Sequence, residues 1–282
     1  MTKKKLVTII SILFGIIVLN IVMFGFIFRL KNQKVVVVGG CEISIQESEI
    51  IEIANIKNNS STFLIDKDKA TENIELNFPD IKVIQIKTTG IQSIEFVLRA
   101  RHATYFIENY TSYYILDEEL KVLKVIQKLD NPNYNSGNLI RIESDEITIS
   151  SFVKAGNFIG TEVQQQIYES FHNEILNVAI KQVDNEEKYF ERQDVLDFVT
   201  AVKYEKLNSY DKIVVKTSDG VKLDIENPSE NISNKINICF SLIKKFKIED
   251  ANKNSEEQRF KNGIIKIYYD LEDNYKAIYL EE

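Results

Sequence analysis

From Leu6 to Phe28 the chain carries no charged residue and only three clearly polar ones, Thr8, Ser11 and Asn20. As an α-helix rising about 1.5 Å per residue, this run would reach roughly 34 Å, enough for a hydrocarbon core of about 30 Å. A cleaved signal peptide has a shorter apolar region followed by a small-residue cleavage site. Here the run ends in Phe28-Arg29-Leu30-Lys31. A buried soluble helix would have to be apolar all round while flanked by Lys3-Lys4-Lys5 on one side and Arg29 and Lys31 on the other. The expectation is a short tail over 1–5 and a single transmembrane helix over 6–28. Flanking charge is nearly balanced and leans only slightly toward an N-terminus inside. Val38-Gly39-Gly40-Cys41 has the look of a lipoprotein box, but Arg29, Lys31 and Lys34 separate it from the apolar run.

Residues 1–34 hold six of the 35 basic residues and none of the 42 acidic ones, which leaves 29 basic against 42 acidic groups over 35–282, a net charge of −13. Such a region repels nucleic acid and anionic headgroups. Two cysteines, Cys41 and Cys239, are too few for a disulfide framework. His102 and His172 have no Cys, His or carboxylate neighbours at metal-ligand spacing. No phosphate-binding loop, G-x-S-x-G, H-E-x-x-H or dinucleotide fingerprint is present, so no catalytic, cofactor or metal residue is expected.

The run Val35-Val36-Val37-Val38 reads as a strand, since β-branched residues favour the pleated conformation. Ser44 and Glu47 have capping-box spacing and open a helix to about Ala54. Asp66 or Asp68 caps a second helix, with Ala70, Ile74 and Phe78 on one face and a stop at Pro79. Strands follow over 81–88 and 91–99, giving the order β-α-α-β-β. Beyond lie short strands at 105–108, 113–117 and 122–127 and a loop over 129–138. Thr161 and Gln164 form a second capping box, opening a helix whose apolar stripe is Val163, Ile167, Phe171, Ile175 and Val178. Strands at 199–207, 212–217 and 221–225, a helix over 229–246 and strands at 263–269 and 276–280 complete the chain. The fold class is α+β, with a mostly antiparallel β domain carrying helices.

The order of these elements, and several short motifs, resemble the FtsQ/DivIB family of bacterial cell-division proteins. Phe63-Leu64-Ile65-Asp66 is similar to the apolar-Asp element between the two helices of that family's POTRA domain. Phe78-Pro79-Asp80-Ile81-Lys82-Val83 is similar to the F-P-x-I-x-x-V element entering its second strand. Tyr113-Tyr114-Ile115-Leu116-Asp117 with Val122-Leu123 resembles the opening of its β domain, and Gly263 to Tyr269 its penultimate strand. The family's Glu-Arg-x-Pro is replaced by Leu98-Arg99-Ala100-Arg101, and the glycine of the YY…D-x-x-G turn by Leu120. The resemblance implies a POTRA domain with a short juxtamembrane segment over 29–101 and a β domain over 102–282 that ends in an edge strand. It also implies a single-pass type II protein of the cell membrane at the division septum, with its C-terminal domains outside.

The function so implied is a non-enzymatic divisome scaffold, linking FtsL and FtsB/DivIC-type single-pass proteins during cell division. The contact would be β-augmentation on the last strand, with Tyr269, Tyr275, Ala277, Ile278 and Tyr279 as the partner-binding residues. Two other readings compete. A POTRA protein of secretion or envelope assembly would show tandem modules leading into many strands of barrel length. A membrane-anchored cell-wall enzyme would need a Cys/His or Ser/Lys pair in a cleft.

Overall fold

The computed structural model describes residues 3–39, 43–129, 137–143, 147, 149, 153–183, 186–250, 262–269 and 275–281. Gly40 and Cys41, the loop at 130–136, and the turn at 271–274 lie outside them, as does the side chain of Tyr269. The chain divides into two compact units, Met1–Arg101 and His102–Glu282.

The first unit runs α1 (Lys3–Ile27), β1 (Asn32–Val38), α2 (Glu47–Ala54), α3 (Lys67–Asn77), β2 (Ile81–Thr88) and β3 (Ser93–Ala100). Its sheet has the order β1-β3-β2, with β1 parallel to β3 and β2 antiparallel. Asp66 caps α3 by accepting from the Lys69 amide at 3.0 Å. Ser44 does not cap α2: the N-cap is Gln46, and Glu47 instead accepts the Val35 amide at 2.7 Å, tying α2 to β1. Ile50, Ala54, Ala70 and Ile74 from the helices meet Leu30, Ile81, Ile94, Phe96 and Leu98 in one buried cluster.

Among the described residues no helix is long and apolar enough to cross a membrane, which overturns the transmembrane helix expected over 6–28.

The second unit is built on one nine-stranded sheet. In chain order its strands are β4 (Tyr105–Asn109), β5 (Ser112–Leu116), β6 (Val122–Ile126), β7 (Ile140–Ile142), β10 (Val199–Lys206), β11 (Asp211–Thr217), β12 (Lys222–Glu226), β13 (Gly263–Tyr269) and β14 (Tyr275–Glu281). Their order across the sheet is β14-β13-β12-β11-β10-β7-β4-β5-β6. A separate hairpin joins β8 (Ala179–Val183) to β9 (Glu186–Tyr189). Among the described residues the large sheet is mixed: five of its eight joints are antiparallel, while β7 runs parallel to both its neighbours and β12 parallel to β13. Those three parallel joints are where the chain crosses between distant strands, two of them through helices. Hairpins can make only antiparallel pairs.

Three helices accompany the sheet: α4 (Glu162–Leu176), α5 (Arg192–Phe198) and α6 (Ile232–Asp250). Thr161 and Gln164 form the expected reciprocal capping box on α4. Ile167, Phe171, Ile175 and Val178 are buried, whereas Val163 is half exposed. They share a core with Tyr105, Val202, Ile213, Leu223, Ile236, Phe240 and Ile265. Leu120, standing where the resembled family has glycine, adopts φ 61° and is fully buried. The turn around it is held by the Asp117 carboxylate, which accepts the amides of Glu119 and Lys121 at 2.9 and 2.8 Å.

Candidate partner-binding edge

The open end of the large sheet is assembled by α6 and the β13–β14 hairpin. Helix α6 returns the chain so that β13 lies parallel to β12, with Leu223 opposite Ile265. β14 then folds back antiparallel, in the register Ile264↔Leu280, Lys266↔Ile278 and Tyr268↔Lys276. Among the described residues β13 is its only strand neighbour. The opposite end differs, because β6 exchanges backbone hydrogen bonds with a loop: Val122 donates to the Asn157 carbonyl and accepts from the Gly156 amide. An edge strand with a bare side is a template for an incoming chain.

Directly opposed residues of an antiparallel pair lie on one face, and the face alternates along the strand. One face of β14 carries Tyr275, Ala277, Tyr279 and Glu281; the other carries Lys276, Ile278 and Leu280. The first face is covered by α6. Ala277 and Tyr279 pack against the main core, and the Tyr279 ring sits 5.1 Å from that of Phe246. Gly263 is required beneath it, since a Cβ there would collide with the Tyr279 ring. Lys235 anchors the start of the strand. Its Nζ donates to the Glu226 and Asn227 carbonyls at 2.7 and 2.8 Å and lies 5.2 Å from the centre of the Tyr275 ring. Burial pushes this ammonium below the usual lysine range, opposed by Tyr275, Glu230 and Glu226.

The second face is open. Tyr268, Ile278 and Leu280 are 45%, 47% and 42% exposed, a band of apolar side chains on the outer side of the hairpin. Of the five residues expected to touch a partner, Tyr275, Ala277 and Tyr279 therefore share the α6 side, and Ile278 points the other way. The Tyr269 backbone pairs with that of Tyr275, and its side chain lies outside the described residues. Lys235, Tyr268 and Leu280 were not expected. Alternation with Ile278 marks Leu280, whereas nothing in the sequence singles out a helical lysine as the support of a strand two elements away.

The residues with reactive side chains lie elsewhere. Cys239 is fully buried in α6, and burial pushes its thiol up to about 12. His172 is buried in α4 and His102 is exposed. Among the described residues no group of three His, Cys, Asp or Glu is placed to hold a metal ion.

No protein-family model matches the chain. Cell division protein DivIB of Clostridium acetobutylicum is 28% identical over 151 residues, covering 53% of this chain and 55% of that protein. The match thus spans about half of each. With that likeness beside the strand-helix-helix-strand-strand unit and the edge-ending sheet, the comparison supports placing this chain in the FtsQ/DivIB family of cell-division proteins.

Proposed function

We propose that this chain is a non-enzymatic scaffold of the division machinery at the septum. Its β-α-α-β-β unit reads as a POTRA domain. Its large sheet takes a strand from a small single-pass division protein of the FtsB/DivIC type, which also brings in an FtsL-type partner. The observation that carries the reading is β14, the terminal strand of a nine-stranded sheet, backed by α6 and bearing exposed apolar side chains. β-Augmentation draws affinity from main-chain hydrogen bonds and specificity from alternate side chains, and this edge offers both.

Neighbouring residues of an edge strand alternate between amides aimed at the inner neighbour and amides aimed outward. One of Ala277→Pro and Ile278→Pro therefore removes a donor from the open side while leaving the β13–β14 ladder intact. That variant is expected to keep its circular dichroism spectrum and lose pull-down of the FtsB/DivIC-type protein encoded in the same genome. A fluorescent fusion of the wild-type chain is expected to collect at septa. Undiminished pull-down by both folded proline variants would overturn the edge as the docking site.

A further inference from the structure

We infer that the first unit meets an anionic lipid surface through the end where α1, the α2–α3 loop and the β2–β3 turn converge. Phe63, Leu64 and Ile91 enter the headgroup layer there, within a collar of Arg29, Lys31 and Lys57. The contact lies in the plane of the interface and asks for no spanning segment. It belongs to the first unit and does not depend on a strand docking at β14.

Topology gathers these residues. β1 and β3 are parallel and both start at this end, and antiparallel β2 finishes there. Backbone hydrogen bonds then strap the α2–α3 loop and the β2–β3 turn to the segment that leaves α1. The Thr62 amide donates to the Phe28 carbonyl at 2.8 Å, the Asn59 amide to that of Leu30 at 3.0 Å, and the Lys31 amide to that of Gln92 at 2.8 Å. The Thr62 hydroxyl donates to the Ile91 carbonyl at 3.3 Å, and the Gln92 side chain to the Ile27 carbonyl at 2.9 Å. Leu30 is fully buried among these straps. With its backbone committed inward, the loop turns its apolar side chains out: Phe63 is 71% exposed, Leu64 85% and Ile91 56%.

Apolar side chains of this size grouped on a surface mark a contact, because water gains nothing from them. α1 extends the group with exposed Phe26 and Ile27, and farther along with exposed Phe14, Ile16 and Leu19. Charge selects a lipid surface as the occupant. The converging segments, 26–31, 55–65 and 89–92, hold none of the chain's 42 acidic residues. They do hold Arg29, Lys31 and Lys57, all exposed. Asp66, the next carboxylate after the loop, is taken up by the α3 cap. Elsewhere charge works the other way: 29 basic against 42 acidic residues over 35–282 push the rest of the chain off anionic headgroups. An acid-free basic end is therefore the one that such a surface draws in. Apolar insertion and cationic attraction add at a bilayer interface. Arg29 already combines them, its guanidinium carbon 4.3 Å from the centre of the Phe26 ring.

The chain contains no tryptophan, so one introduced indole reports its own surroundings. In the full chain, Leu64→Trp places it at the proposed contact, where little packing is lost. Val38→Trp places it at the far end of β1, on another exposed apolar position of the same unit. Each variant is mixed with vesicles of phosphatidylcholine, with or without phosphatidylglycerol, that carry bromine at a shallow or a deep acyl position. Leu64→Trp is expected to shift its emission to the blue and to be quenched more by shallow than by deep bromine. Val38→Trp should do neither. Half-quenching of Leu64→Trp should need less lipid when phosphatidylglycerol is present. Adding Lys31→Gln and Lys57→Gln should shrink that preference by about fivefold per charge removed. Circular dichroism checks that each variant is folded. Emission from Leu64→Trp that stays unshifted and unquenched overturns the lipid contact and leaves this end to a protein partner. A preference for phosphatidylglycerol that is absent, or untouched by the two glutamines, overturns the basic collar and with it the proposal. Neither result bears on docking at β14, which the proline variants test separately.

Discussion

Arg101 shows how much one side chain can hold together. Its side chain is 2% exposed and that of Glu75 is 13% exposed, with the two joined at 2.9 Å. The arginine Nε also donates to the Ile81 carbonyl at 3.2 Å, and the second Glu75 oxygen accepts the Val83 amide at 2.8 Å. One pair thereby links α3 to the start of β2 and the end of β3. Removing one partner of a buried pair leaves the other charge stranded, so Arg101→Ala is expected to cost about 3–5 kcal/mol in denaturant unfolding of this unit. The pair replacement Arg101→Met with Glu75→Met should cost clearly less than either single change. A loss below about 1 kcal/mol for Arg101→Ala would show that the pair is structurally idle. His172 sets a second expectation. It lies 6.3 Å edge-on from the Tyr105 ring, its Nδ1 has no hydrogen-bond partner, and burial lowers its pKa to about 4, with Glu118 opposing and Arg192 adding. The unfolded chain takes up a proton near 6.5 while the folded one resists until about 4, so the unfolded state binds more protons in that window. Stability is therefore full above about pH 6.5 and falls as pH drops toward 4, by up to roughly 3 kcal/mol from this group. His172→Gln should flatten that part of the stability-pH curve; an unchanged acid slope would assign the loss to other groups.

At the scale of elements, what the sequence reveals depends on length and on where the pattern comes from. β13 and β2 keep the boundaries that alternation gives, 263–269 and 81–88. The α4 capping box follows directly from Thr161 and Gln164, whose side chains need only their own backbone to make it. Elements defined by their neighbours are missed. β7 has three residues, too few to show a period, and becomes a strand because β4 and β10 flank it. β9 reads Glu-Glu-Lys-Tyr, poor in β-formers, and is held by pairing with β8. α5 has seven residues and no Ser, Thr or Asn cap, so neither a stripe nor a start signal announces it. Ser44 shows the opposite failure: the spacing is right, but Glu47 is recruited by the β1 backbone. The candidate edge has the same limit. Alternation says that Tyr275, Ala277 and Tyr279 share a face and Ile278 does not, but only the position of α6 decides which face is covered.

At the scale of the whole molecule, the two units have separate interiors. Leu30, Ile50, Ile74, Phe96 and Leu98 belong to one buried cluster, while Tyr105, Phe171, Phe240 and Ile265 belong to another, and no residue is shared. Cooperative unfolding follows a continuous core, so each unit is expected to melt as its own transition rather than as part of one. Two substitutions can label the transitions independently. Arg101→Ala acts on the Glu75 pair of the first unit, and Thr161→Ala removes the α4 cap of the second, typically about 1 kcal/mol. Differential scanning calorimetry of the full chain should resolve two endotherms. Arg101→Ala should lower the midpoint of one by several degrees, Thr161→Ala should lower the other by a few, and the double variant should show both shifts unchanged, because substitutions in separate cores add. A single endotherm lowered by both substitutions would mean that the units unfold as one body, and the partner edge on β14 would then depend on the integrity of the first unit as well as the second.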